Sequence, residues 1–217
     1  MWASSCSESL SDELMAQLLA LIVLLAPLAV QELSSAPAVP VKVDAATVSF
    51  EVTTNVFSTT VRGKSTTLVV NTQLRDAGAA LHLERIEATV PVATLRTGIK
   101  LRDEHMRKYI FETPDGQVPD VRFSADRAQC SQAPNAGTYT CPTSGTLSIR
   151  GTARPLQLEL KVSRNGDGFK VTGDTSVTLS SYGIERPSQF GVTTEDTVRI
   201  HVELNAKGTV PTSAQAR

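Results

Sequence analysis

The chain has 217 residues and a mass of 23.2 kDa, enough for one sizeable core and too short for a large multidomain enzyme. Apolar residues make up 41% and charged residues 20%, an ordinary globular composition that argues against a disordered, collagenous or polytopic membrane protein. With 21 Lys and Arg against 22 Asp and Glu, no bulk field is present to hold a polyanion, so nucleic acid is not an expected partner.

In chain order, the first marked segment is an almost unbroken apolar run from Leu18 to Ala29. It has the length of a signal-peptide apolar region and falls short of the roughly 20 residues needed to span a bilayer. Ala36-Pro37-Ala38 then offers the small-x-small pattern of a cleavage site, which places a mature start at Val39. The preceding flank contains Glu8, Asp12 and Glu13 and no basic residue, unlike an ordinary export signal, and a start at Met15 also lacks one. Residues 1–38 are therefore read as a signal peptide or an uncleaved N-terminal anchor. Cys6 precedes the apolar run, where an acylated lipoprotein cysteine would not be, and is read as incidental.

From Thr47 the dominant period is two. Val48, Phe50 and Val52 alternate with polar residues, and Leu68, Val70 and Leu74 repeat the spacing with Thr72 interrupting. Ile86, Ala88, Val90 and Val92 give a third strand, whose Pro91 is expected at an end or edge. Around Arg102 to Ile110 the spacing turns helical, with Met106, Tyr109 and Ile110 on one side, and predicts a short amphipathic helix. Its acid-first pairs, Asp103 with Arg107 and Glu104 with Lys108, are expected on a solvated face without a catalytic role. Val121, Phe123 and Ala125 predict a fourth strand. Leu147 with Ile149, and Leu156 through Val162, predict two more around a Gly151-to-Pro155 hairpin connection. Asn165-Gly166-Asp167-Gly168 is the strongest turn signal and leads into Phe169, Val171, Val177 and Leu179. Val198, Ile200, Val202 and Leu204 complete a set of eight strands, and residues 207–217 read as a polar flexible tail.

Cys130 and Cys141 bracket a turn-rich stretch containing Pro134, Asn135 and Gly137, which brings its ends together. A disulfide is expected, and it agrees with export into an oxidising compartment. The spacing does not fit a C-x-x-C redox or zinc site.

Eight antiparallel strands with one apolar face each predict an all-β sandwich or closed barrel, and periodicity alone does not choose between them. A barrel of about eight strands is either filled by its own side chains or holds one small ligand, and alternation serves both outcomes. No G-x-S-x-G, G-x-x-x-x-G-K, G-x-G-x-x-G or H-E-x-x-H motif is present, and no metal-ligand spacing joins His82, His105 and His201. Neither catalysis nor a cofactor is expected.

Four segments in series carry a resemblance. Arg102-Asp103-Glu104-His105-Met106, Pro119-Asp120-Val121-Arg122-Phe123, Leu147 through Pro155 (LSIRGTARP) and Ile184 through Gly191 (IERPSQFG) stand in the order seen in the YceI-like family. The resemblance covers residues 43–206. It implies an exported, eight-stranded antiparallel lipocalin-like β-barrel whose elongated apolar pore holds a polyisoprenoid or other long-chain amphiphile, with no defined catalytic reaction. This chain departs from the family where Thr47 and Thr54 stand near usual histidines, and where Glu185 and Gln189 replace Asn and Asp of the last motif.

Alternation and size select Phe50, Val52, Val90, Met106, Tyr109, Phe123, Leu158, Leu160, Phe190 and Ile200 as the expected ligand lining. Arg102, His105 and Arg186 are motif residues with either a structural or a head-group role. Asp103 and His105, two apart on a helix, point to different sides and make a poor acid–base dyad. Two alternatives remain: an enzyme acting on a sequestered lipid through the His105 region, and a partner-binding accessory of an envelope stress or redox system, which would expose an apolar patch outside the barrel.

Overall fold

The computed structural model describes residues 38–207 except 77–79, 136 and 167. The predicted export segment and the chain from Gly208 onward lie outside these residues. Lys207 ends the last strand rather than beginning the tail expected over residues 207–217.

The described chain is almost entirely β. In order it forms β1 (Val39–Pro40), β2 (Lys42–Thr53), β3 (Thr60–Ser65), β4 (Val69–Asp76), β5 (Ala80–Val90), helix α1 (Lys100–Met106), β6 (Val121–Gln132) and β7 (Thr138–Ile149). There follow β8 (Thr152–Asn165), β9 (Gly168–Thr178), the short hairpin β10 (Ser188–Gln189) and β11 (Val192–Thr193), and β12 (Thr197–Lys207). Ten strands make one antiparallel sheet in the order β1-β4-β5-β6-β7-β8-β9-β12-β2-β3.

Both ends of that order are joined by the chain itself. β1 continues into β2 through Val41, whose N–H donates to Thr72 O at 3.0 Å. β3 continues into β4 through residues 66–68, and Val39 faces Leu74 on the same antiparallel register in which Thr53 faces Thr60. The sheet thus closes on itself as eight strand paths, the number read from alternation, because β1 with β2 and β3 with β4 are each one interrupted path.

Alternation buries one face of each path. In β2, Ala46, Val48 and Val52 are buried, and pairing carries the inward face to Val61 and Ser65 of β3 and to Val198 and Ile200 of β12. A bulge alters the count in β5. Arg85 has a left-handed φ of +52°, so Leu81 and Leu83 on one side of it, and Ile86 and Ala88 on the other, all face in.

Two further breaks in the ladder each contain a proline. β6 and β7 are unpaired between Ser124 and Ser131, opposite Pro142; β8 and β9 stop pairing at Glu159 and Asp174, leaving the stretch with Pro155 beyond. A proline has no N–H for a second neighbour, which accounts for its place in an interruption. Pro155 therefore lies inside β8. The preceding connection is not Gly151-to-Pro155 but the two residues Arg150 and Gly151, both at positive φ, between paired Ile149 and Thr152.

Two apolar clusters fill opposite ends. At the end where β6 turns into β7, Leu74, Leu81, Ala128, Tyr139, Val162 and Phe169 pack around Cys130 and Cys141. The cysteines form the expected disulfide, as a fully buried cross-strand link with Cα atoms 4.0 Å apart. At the other end, Val92, Leu95, Met106, Phe111, Leu147 and Ile184 form the second cluster under α1. α1 runs on into a π-helical turn over Arg107–Phe111, so the helical segment spans the stretch from Arg102 to Ile110 that its spacing predicts.

Candidate functional site

The inner wall carries three glycines, and each is covered by a large neighbour. Gly63 pairs with Phe50, and an added Cβ there would lie 2.3 Å from Phe50 Cζ. At Gly145 it would meet Phe123 Cζ at 2.6 Å and the Ser124 carbonyl at 2.4 Å. At Gly173 the neighbours are Leu160 Cδ2 at 2.8 Å and Leu158 Cδ1 at 3.1 Å. Phe50, Phe123, Leu158 and Leu160 therefore rest on positions that have no side chain, and the wall stays thin where it would otherwise crowd the lumen.

Exposure along single strands agrees. Val48 and Val52 are buried, whereas Phe50, between them and facing the same way, is half-buried. Among the other residues selected from sequence, Met106 and Leu160 are buried, and Val90, Phe123, Leu158 and Ile200 are half-buried. These apolar side chains retain surface while facing inward. Two selected residues are misplaced. Tyr109 is 57% exposed and Phe190 is 95% exposed, so neither is buried in the barrel. Tyr109 belongs to the π-turn, and Phe190 to the two-residue turn between β10 and β11, where neither helical nor strand spacing sets direction.

Two shallow depressions open on the wall. One, of about 250 Å³, is bounded by Pro40, Asn71, Gln73, Arg85 and Glu87. The other, of about 780 Å³, is bounded by Glu51, Gln157, Asp174, Arg199, Ile200 and His201. Both are open and expose apolar as well as polar surface, so neither is the enclosed apolar tunnel that a ligand-holding barrel would suggest.

The motif residues are engaged within the fold. Arg102 donates from Nε to Thr97 Oγ1 and from its terminal nitrogen to Thr97 O, both at 2.8 Å. Asp103 accepts from Thr97 N at 2.7 Å and from Thr97 Oγ1, and is buried, not on the solvated face expected from its spacing to Arg107. Burial pushes its pKa up, but the Thr97 hydrogen bonds and the charges of Arg96 and Arg107 together hold it below the usual 3.8. His105 Nδ1 is 3.0 Å from Gln189 Oε1, tying α1 to the β10–β11 hairpin, and its ring meets Tyr109 edge-on at 5.5 Å. Arg186 is exposed on the approach to that hairpin. On the outer wall His201 Nδ1 meets Asp174 at 2.8 Å. Among the described residues no three His, Cys, Asp or Glu side chains are grouped to hold a metal ion, and no helix is long and apolar enough to cross a membrane.

Sequence reasoning missed Asn55, Thr97 and the three inner glycines. Asn55 joins the β2–β3 loop to the hairpin through Gly191 O at 3.2 Å and Thr193 N at 2.8 Å. Its Asx character hints at a loop contact, but only the register shows that Gly63 lies opposite Phe50.

Comparison with known proteins places this architecture. No curated protein matches significantly. BcnA of Burkholderia cenocepacia has a TM-score of 0.58 at 19% identity, over 75% of this chain and 96% of its own. A polyisoprenoid binding domain from Saccharophagus degradans implicated in plant cell wall breakdown has a TM-score of 0.56 at 14% identity, over 79% and 99%. The YceI protein of Campylobacter jejuni gives 0.53 at 16%, over 68% and 85%. These likenesses show the shared fold. The sequence model of the YceI-like domain matches residues 40–206, and the chain belongs to that family.

Proposed function

We propose that this protein binds lipid, sequestering or carrying a polyisoprenoid or another long-chain amphiphile in the barrel lumen. The observation that carries the reading is the inner wall: large apolar side chains rest over glycines, and Phe50, Phe123, Leu158 and Ile200 face inward yet stay only half-buried. A guest chain would complete that burial, each methylene contributing roughly 0.8 kcal/mol against the cost of ordering it. In this reading entry involves repacking of the half-buried inward side chains. The polyisoprenoid-binding relative from S. degradans supports the ligand class.

Polar recognition is secondary in this reading. Arg102 is satisfied by Thr97, and His105 is engaged by the Gln189 side-chain amide. Export belongs to the proposal as well, supported by the apolar segment at Leu18 to Ala29 and by the buried disulfide.

Leu158→Trp tests the lumen. It adds bulk beside Gly173, so retention of a long-chain lipid should fall while circular dichroism and melting show a folded barrel. Unchanged retention in a folded Leu158→Trp protein would remove this residue from the lining.

A further inference from the structure

Of the eight large apolar side chains exposed among the described residues, all but Val69, which sits on β4, belong to the helical segment, the loops and the β10–β11 hairpin at the end of the barrel that carries α1. Two stand out: Phe57, in the β2–β3 loop, and Phe190, at the tip of the β10–β11 hairpin, are each 95% exposed. Both also have left-handed backbones, with φ of +49° and +51°. Phe190 and Gly191 are the central residues of a two-residue turn at φ +51° and +78°, a geometry that asparagine or glycine adopts at lower cost in the first place. A phenylalanine there gains no packing and strains the turn. Folding stability does not account for it.

The segments that bear these rings are tied together. Asn55 N–H donates to Thr193 O at 2.9 Å, its side chain binds Gly191 O and Thr193 N, and Gln189 of the same hairpin meets His105, whose ring touches Tyr109. Phe57, Phe190 and Tyr109 thus project from one braced platform.

We propose that this platform is a membrane-docking face: Phe57 and Phe190 insert into the apolar margin of a phospholipid bilayer, with Tyr109 at the interface. Residues 54–59 and 187–194 contain no charged side chain, so insertion takes no ion out of water. Lys100 and Lys108 on the helical segment and Arg186 before the hairpin ring the face, but Glu104, which pairs with Lys100, together with Glu185, Glu195 and Asp196, offsets them, so no net positive field is left to attract head-group phosphates. Affinity is therefore carried by apolar insertion more than by net charge. A bilayer accepts protruding tips without a matching pocket, which favours it over a protein partner. The proposal does not depend on what the lumen holds.

The test uses the full chain with its disulfide intact. In a Trp2→Phe background, a single tryptophan is placed at Phe190→Trp or at Gln132→Trp, an exposed site at the opposite end. Phosphatidylcholine vesicles containing brominated acyl chains are then added, with and without phosphatidylglycerol. Quenching at 190 but not at 132 is expected, and it reports loop insertion even if the N-terminal segment also binds vesicles. The double variant Phe57→Asp/Phe190→Asp, with an unchanged melting curve, should lower vesicle partitioning about tenfold or more. No quenching at 190, equal quenching at both sites, or partitioning untouched by the double variant overturns the proposal. So does concentration-dependent self-association that the double variant abolishes, which would assign the face to a second copy of the chain.

Discussion

At one end of the barrel β6 returns as β7 within residues 133–137, and the strands beside the turn are locked by a disulfide inside a core with Leu81 fully buried. At the other end the chain uses residues 91–120 to pass from β5 to β6 and 179–196 to pass from β9 to β12, and it leaves two phenylalanines almost wholly in solvent. The contrast shows a division of labour within one sheet. Short turns with buried apolar groups hold the ring, whereas long braced loops present surface that folding alone does not use.

Stability measurements sharpen that contrast. The largest effect is expected at the disulfide end, where Leu81→Ala should cost about 2–5 kcal/mol in denaturant unfolding through lost burial and a cavity. A loss below about 1 kcal/mol would show that the site collapses and the core is loose. Replacing both Cys130 and Cys141 by alanine should cost about 2–4 kcal/mol by releasing the unfolded chain. Equal stability of the oxidised protein and this variant would contradict a supporting role for the link.

At the helix end the polar clamp comes next. Asp103→Asn should cost about 1–3 kcal/mol, because the charged acceptor of the Thr97 hydrogen bonds is lost. The pH dependence has a definite sign: a carboxylate held below the usual 3.8 contributes stability that is present above that value and is lost as pH falls through its folded pKa. Wild type should therefore lose more stability than Asp103→Asn on acidification through that window. Parallel curves would remove Asp103 as the cause. The smallest effect belongs to Phe190→Asn, which should leave stability unchanged or raise it by up to about 1 kcal/mol, since it relieves the left-handed turn without emptying any core. Marked destabilisation would mean that the ring packs in solution.

Much of the ring was legible because alternation is a direct consequence of one-sided burial. The eight paths, the Asn165-Gly166 turn, the disulfide and the short helix all follow from local rules. What local rules could not supply is register. The Arg85 bulge resets the inward count in β5, and prolines at 142 and 155 sit within strands because neighbouring ladders open beside them. Residues selected on regular strands, such as Phe50 and Leu158, face inward. Phe190 and Tyr109 failed because turn geometry, not period, sets their direction. Asp103 failed for a related reason: its partner Thr97 lies outside the helix, and spacing within a helix cannot reveal it.

Native mass spectrometry of the protein purified without delipidation, followed by extraction and identification of any guest, decides whether the lumen holds lipid. A population carrying one long-chain isoprenoid or fatty amphiphile, diminished in Leu158→Trp, is the predicted result. A guest-free protein that also takes up no such lipid on incubation would contradict it.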